Sequence, residues 1–471
     1  MNFTKEIDNQ VFKSIQILAK SQNKQAFVIG GFVRDLILKR GTAQDVDVVC
    51  TGSGIELAEA VSKSLDYPVE VAVFKRFGTA MFKYKNVEYE FVGTRKESYR
   101  ADSRKPIVEN GTIDDDQKRR DFTINALALS LNEGDFGALI DPFNGLQDLS
   151  DQCIRTPLDP VVTYSDDPLR MLRAIRFACQ LGFEIEEQSL NAIHLCAKRL
   201  NIISGERIIS EVNKMILSPN PSLGFKLMEK TGLLAEFFPE FVALKGVEVR
   251  NGKGHKDNFY HTLEVLDNVC KQSDDLWLRW AALMHDIAKP PTKRFDNQHG
   301  WTFHGHEFLG SKMVPKLFKR LKLPLNEQMK FVQKLVKLHL RPIVLAQNIV
   351  TDSALRRLLF DAGDELEDLL LLCEADITTK NDFKFKKYQQ NYVIVREKLK
   401  EVEERDQIRN WKSPIDGALI MTTFGLKPGK AVGDLKSKIK EAILEGEIQN
   451  TYEQAFDFML KEAKSMGLET K

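Results

Sequence analysis

The chain has 471 residues, of which 43% are hydrophobic and 29% charged, with 68 basic against 67 acidic side chains. That size and composition fit roughly two to four packed domains, and no apolar run approaches the ~18 residues that a membrane span requires. A formal net charge of +1 carries no global nucleic-acid signature, so affinity for RNA must reside in local basic faces. The six cysteines lie far apart without C-x-x-C spacing, which reads as reduced core thiols rather than a disulfide frame or a zinc site. The N-terminus does not read as a signal peptide, and a cytoplasmic location is expected.

Residues 26–29 (Ala-Phe-Val-Ile) are short, apolar and partly β-branched, which predicts a buried strand ending at Gly30 and Gly31. A helix is expected to begin near Phe32. Glycines let a phosphate approach the backbone, the unpaired N–H groups of a helix N-terminus attract anions, and Arg34 adds a cationic fork. Asp45 and Asp47 alternate with Val46, Val48 and Val49, so they read as a second strand with both carboxylates on one face. Hard oxygen ligands of that kind suit Mg²⁺, with substrate phosphates completing the shell. A phosphate cradle just upstream of paired carboxylates points to metal-assisted nucleotidyl transfer. Strand-like runs follow at 69–73, 79–84 and 87–92, the last holding Glu90, and a polar, charged stretch covers 94–118.

Two further blocks complete the first third of the chain. Residues 119–127 read Arg-Arg-Asp-Phe-Thr-Ile-Asn-Ala-Leu, and residues 141–149 read Asp-Pro-Phe-Asn-Gly-Leu-Gln-Asp-Leu. With the Gly-Gly-Phe-Val-Arg-Asp and Asp-Val-Asp segments, these four ordered motifs resemble the bacterial-type (class II) tRNA nucleotidyltransferase and poly(A) polymerase family. The resemblance implies an α+β fold, in which a small mixed β-sheet nucleotidyltransferase head precedes an extended all-α body. It implies Mg²⁺ on Asp45 and Asp47, with Glu90 as a third strand carboxylate, and a triphosphate received by Gly30, Gly31, Arg34 and Arg120. The stretch 94–118 resembles the family's flexible loop, whose presence favours full CCA addition over addition of the two cytidines alone.

Beyond Asp167 the chain reads almost wholly helical. Asp167 suits an N-cap and Pro168 a first helical position, after which Arg170, Arg173 and Arg176 recur every three residues along one stripe. The family places a protein template here. The resemblance implies that Asp167 and Arg170 hydrogen-bond the base edge of incoming CTP or ATP, while Arg173 and Arg176 join the cationic surround of the triphosphate. Asp166 stands where the family usually has Glu. The segment 204–211 resembles the next family helix, which braces the template.

Seven of the eight histidines fall between His255 and His339. His261, the pair His285-Asp286, and Asp376 resemble the metal-binding pattern of HD phosphohydrolases, which implies a divalent transition metal there. His306 and His339 fall where some HD proteins recruit a further ion, and His304 is a weaker candidate. Farther on, the basic and aromatic run 383–388 suits an RNA backbone and its bases, and the segment 425–433 resembles a family signature near the end of its tRNA-binding body.

The expected division is a head over 1–150, a helical neck over 151–235, an HD-type domain over 236–380 and a tRNA-binding region over 381–471. The expected reaction is template-independent addition of CCA to the 3′ end of tRNA from CTP and ATP, with release of pyrophosphate. A bacterial poly(A) polymerase, and an HD phosphohydrolase with an inactive head, stand as alternatives. The signature after the second aspartate, Lys75-Arg76-Phe77-Gly78-Thr79, looks more like the CCA branch.

Overall fold

The computed structural model describes residues 1–41, 45–100, 103–347, 351–379, 381–409 and 411–470. The chain divides into two compact units, Met1–Pro239 and Glu240–Lys471.

The first unit is built on a mixed sheet. Its opening elements are α1 (Gln10–Ser21), β1 (Ala26–Ile29), α2 (Gly31–Ile37), β2 (Asp45–Cys50) and α3 (Gly54–Ser64). They are followed by β3 (Ala72–Phe74), β4 (Thr79–Tyr84), β5 (Val87–Gly93), β6 (Arg95–Arg100), β7 (Ser103–Asn110), α4 (Ile113–Lys118), β8 (Ala128–Ser130) and β9 (Leu139–Ile140). Seven strands form one sheet in the order β3-β4-β5-β2-β1-β8-β9. β2 and β5 run parallel, with Asp45 opposite Glu88 and Asp47 opposite Glu90, while β1 runs antiparallel to β2 with Ile29 opposite Asp47. β1 is buried at every residue, as a central strand covered on both faces must be. Phe27, Ile29, Val49 and Ala128 form a buried cluster in the sheet, with Val92, Ile113 and Ile140 packed against it. Side-chain caps start the helices: Asn9 accepts from Phe12 N–H, Ser53 from Glu56 N–H, and Thr112 with Asp115 forms a capping box.

Two local expectations shift. The strand expected over 69–73 is confined to Ala72–Phe74, a short strand at the end of the sheet order, next to β4. The stretch 94–118 contains an antiparallel hairpin of β6 and β7, then α4, where the sequence alone indicated a polar loop. The register of the hairpin shifts between Ser98 and Arg100. Opposite that irregularity, between Ser103 and Ile107, lies Pro106, which has no N–H to give to a ladder. Residues 101 and 102 of this expected loop lie outside the described residues.

After α5 (Gly145–Ser150), the strand β10 (Cys153–Ile154) leads into the helical part of the unit: α6 (Pro160–Asp166), α7 (Leu169–Leu181), α8 (Glu187–Cys196) and α9 (Gly205–Ile216). α7 begins one residue later than the sequence indicates. Pro168 already has helical angles of −60° and −18°, and Asp167 still caps the helix, accepting the Leu169 N–H at 3.2 Å. Apart from two short hairpins, Val249–Arg250 with Lys253–Gly254 and Arg294–Asp296 with Gly300–Thr302, the described part of the second unit is helical. Among the described residues no helix is long and apolar enough to cross a membrane, and all six cysteines are free.

Candidate active site and metal centre

β1 ends at Gly30, whose φ of +86° is a conformation that L side chains rarely adopt. A Cβ there would stand 3.2 Å from both Asp47 Oδ2 and Arg120 Nη1, so glycine at 30 lets a carboxylate and a guanidinium close over the turn. This turn forms one wall of a cleft of about 600 Å³ in the first unit. Asp47 and Glu90 lie on its floor, and eight arginines line it: Arg34, Arg95, Arg119, Arg120, Arg170, Arg173, Arg176 and Arg207.

Both floor carboxylates are raised above the ordinary carboxylate range. Burial is the largest cause of the upward shift of Asp47, opposed by Arg120 and reinforced by Asp45. Glu90 is raised by burial first and by Asp47 second. Asp45 is exposed, two residues before Asp47 on the same strand. Carboxylates crowded in this way favour a shared proton or a bound cation.

Most of these arginines are held by named partners, and Arg119 and Arg120 share the carboxylate of Asp116. Arg34 grips Asp35 through Nε and Nη2, both at 2.9 Å, and donates Nη1 to Asn125 Oδ1 at 2.8 Å. Arg120 donates to the fully buried Asp116 at 3.2 and 3.3 Å and turns Nη1 toward Asp47 at 3.9 Å. Arg173 binds Asp121 Oδ2 through Nε at 2.7 Å, and Asn125 Nδ2 donates to Asp121 Oδ1 at 3.0 Å. Burial works to raise Asp121, but Arg173, the Asn125 hydrogen bond and Arg170 outweigh it and hold the carboxyl at about 2. Arg176 pairs with Glu211 of α9 at 2.7 Å. Arg170 donates to the backbone oxygen of Arg119, and Asp167 faces Arg207 at 3.9 Å. With carboxylates as partners, the guanidinium groups are positioned before any anion arrives.

A second constellation lies in the second unit. His285 and Asp286 follow the helix Leu276–Met284, His261 sits on Asn258–Cys270, and Asp376 ends Leu366–Ala375. His306 opens His306–Arg320, and His339 closes Glu327–Leu338. His261, His285 and Asp286 bring their donor atoms within 4.8 Å of one another, as do Asp286, His306 and His339. Asp376 stands 2.9 Å from His261 Nε2 and 3.7 Å from His285 Nε2.

Three of these imidazoles are oriented by carbonyls. Nδ1 of His285, His306 and His339 lies 2.7 to 2.8 Å from the backbone oxygens of Ala282, Phe303 and Val336. A carbonyl only accepts, so each Nδ1 carries the proton and each Nε2 can turn its lone pair inward. His285 Nε2 lies buried without a hydrogen bond, 3.3 Å from Asp286. Burial opposes charge on His285, but Asp286 and Asp376 outweigh it and raise the group to about 10. Burial first, then His285, pushes His339 down to about 3. Inward Nε2 atoms beside the buried Asp286 and the half-buried Asp376 fit a divalent cation, which would displace the proton that these carboxylates hold on His285.

Comparison with known proteins follows the same division. The model described as "Poly A polymerase head domain" matches residues 26–155, the "Probable RNA and SrmB- binding site of polymerase A" matches 182–244, and the "HD domain" matches 258–381. The A-adding tRNA nucleotidyltransferase of Deinococcus radiodurans is 33% identical over 352 residues, covering 73% of this chain and 77% of that protein. The multifunctional CCA protein of Shewanella frigidimarina is 32% identical over 388 residues, covering 77% and 86%. This chain belongs to the tRNA nucleotidyltransferase and poly(A) polymerase family. Its fold is shared with the CTP complex of the Bacillus stearothermophilus CCA-adding enzyme, at a TM-score of 0.68 and 22% identity over 97% of this chain and 98% of that one.

Of the residues singled out from the sequence, Gly30, Gly31, Arg34, Asp47, Glu90, Arg120, Asp167, Arg170, Arg173 and Arg176 all line the one cleft. Asp45 does not line this cleft and stands at the exposed start of β2. His304 is exposed, whereas His306 and His339 join the buried cluster. Missed were the anchors of the arginines: Asn125, Asp116 and the full role of Asp121. Asp116 lay in a run of three aspartates that reads as a solvated loop, and nothing local distinguishes its fully buried carboxylate.

Proposed function

We propose that this chain adds CCA to the 3′ end of tRNA, using CTP and ATP and releasing pyrophosphate without a nucleic-acid template. The observation that carries the reading is the cleft: Asp47 and Glu90 face each other across parallel strands at its floor, and ordered arginines surround them. Asp45 and Asp47, with Glu90 alongside, would hold Mg²⁺, which neutralises charge developing at the α-phosphate and lowers the pKa of an attacking hydroxyl. Gly30 and Gly31 admit the triphosphate to the backbone, and Arg34, Arg120, Arg173 and Arg176 receive its charge. Asp167 and Arg170 read the base, the carboxylate accepting from an exocyclic amino group and the guanidinium donating to ring acceptors. Positioning and fixed charge supply most of the rate enhancement. The names of the relatives above support the substrate class.

The division in this reading is a head over 1–150, a neck over 151–235, an HD-type domain over 236–380 and a tRNA-binding region over 381–471, in a cytoplasmic protein. In the last region Phe383 is 79% exposed beside Lys384, as a base-stacking side chain requires. A second activity is favoured by the inward Nε2 atoms of the histidine cluster. His261, His285, Asp286 and Asp376 would hold a divalent transition metal for phosphoester hydrolysis, with His306 and His339 beside Asp286.

The deciding experiment is a product ladder. Purified protein, given tRNA lacking its terminal CCA together with CTP and ATP, should extend it by three nucleotides and stop. A long A tail would identify a poly(A) polymerase. A single A, added only to tRNA already ending in CC, would identify an A-adding enzyme like the Deinococcus relative. Asp47→Ala should abolish extension, and an unaffected ladder would leave the HD centre as the principal enzyme.

A further inference from the structure

The ring of Phe177 sits among the arginines of the cleft. The guanidinium carbons of Arg176, Arg34 and Arg173 lie 4.1, 5.0 and 5.5 Å from its centroid. Arg173 and Arg176 share helix α7 with Phe177, whereas Arg34 reaches it from α2. The edge of Phe122 meets it at a centroid distance of 5.8 Å and an interplanar angle of 85°, and Phe177 is only 6% exposed while still lining the cleft.

Three like charges around one point repel, and each of the three guanidiniums also has an ion-pair partner, Asp35 for Arg34, Asp121 for Arg173 and Glu211 for Arg176. Those carboxylates lie in three different places: Asp35 next to Arg34 on α2, Asp121 in the segment after α4, and Glu211 on α9. An aromatic face attracts a guanidinium without neutralising it and without occupying its N–H groups, through its quadrupole and by stacking on the planar group. Leucine could fill the space but offers no such attraction.

We propose that Phe177 is a positioning residue for the nucleotide triphosphate: its ring holds Arg34, Arg173 and Arg176 at fixed spacing with their charge still available to phosphate oxygens. This rests on the reading of the cleft as a nucleotide site. Because the ring acts on the phosphates rather than the base, CTP and ATP must depend on it equally.

The test compares Phe177→Leu with Phe177→Tyr, which keeps the quadrupole, in steady-state CCA addition. Phe177→Leu should raise KM about tenfold for CTP and for ATP alike, with kcat within about twofold of wild type, while Phe177→Tyr should stay near wild type. Inorganic tripolyphosphate, which carries no base, should lose potency as a competitive inhibitor by the same factor. A lowered melting temperature with unchanged KM and unchanged tripolyphosphate inhibition would make Phe177 a packing residue only and overturn the proposal. Unequal changes for CTP and ATP would overturn it too, by placing the effect in base reading. If Phe177→Leu does not fold, Phe177→Met replaces it with the same expected and refuting results. If the wild-type protein adds no nucleotide, the reading of the cleft itself fails; normal wild-type addition with no effect of the variant defeats only the role of Phe177.

Discussion

Replacing Asp121 by asparagine removes one charge from the most heavily connected carboxylate of the cleft while keeping its size. Asp121 is 7% exposed, binds Arg173, and accepts from Asn125 Nδ2 and its neighbour's N–H at Phe122. Its carboxyl is held at about 2 against an ordinary 3.8, which at roughly 1.4 kcal/mol per pH unit corresponds to about 2 kcal/mol of native-state stability at neutral pH. Because the folded value is the lower one, this contribution is complete above the unfolded value and drains away as pH falls toward about 2. By pH 3 roughly half should remain. Asp121→Asn should therefore destabilise the unit Met1–Pro239 by about 2 kcal/mol at pH 7, a fall of roughly 4 to 8 °C in its melting temperature. All four tryptophans, Trp277, Trp280, Trp301 and Trp411, lie in the other unit. Tryptophan fluorescence would therefore report the wrong transition, and urea unfolding followed by hydrogen-exchange mass spectrometry of α7 peptides is the appropriate assay. The difference between variant and wild type should shrink at pH 3. An equal loss at pH 7 and pH 3, or no loss at either, would refute the assignment of the stabilisation to the ionised carboxylate.

Gly30→Ala should weaken nucleotide binding by an order of magnitude and destabilise the unit by about 1 to 3 kcal/mol, the usual cost of a strained φ, since the new Cβ presses on Asp47 and Arg120. Titration with a fluorescent nucleotide and a melting curve read the two effects. Asp167→Asn should change the ratio of C to A incorporation more than the total rate, because it adds a donor where the base amino group donates; an unchanged ratio in competition assays would remove Asp167 from base reading. Asp286→Asn, which alters the carboxylate shared by both triads of the second unit, should lower bound transition metal in elemental analysis and abolish any phosphoesterase activity, yet leave the CCA ladder intact.

Several features of the site are local enough to be written in the chain. A β-branched run stopped by two glycines makes the strand, the turn and the helix start between Ala26 and Ile37, because propensity and φ freedom act over neighbouring residues. Alternation along Asp45, Val46, Asp47 and Val48 fixes which side chains share a face. The histidine pattern is equally plain, since helices carry His261, His285 and His339 to their positions with little loop freedom. Where local signals were poor, as in the edge strand near Val73 and the hairpin of β6 and β7, pairing partners rather than propensity decided the conformation.

What the chain determined by itself was thus the kind of chemistry, through residue types whose spacing already implies a shared face. The tertiary structure alone decided the register that sets Asp47 beside Glu90, and the contacts that join Arg34 to Asn125 and Arg173 to Asp121. These pairs are 91 and 52 residues apart in sequence. Neither member carries a local mark of its partner, because a buried charge is stabilised by whichever opposite charge the fold brings to it, and only the packed sheet and helices make that choice.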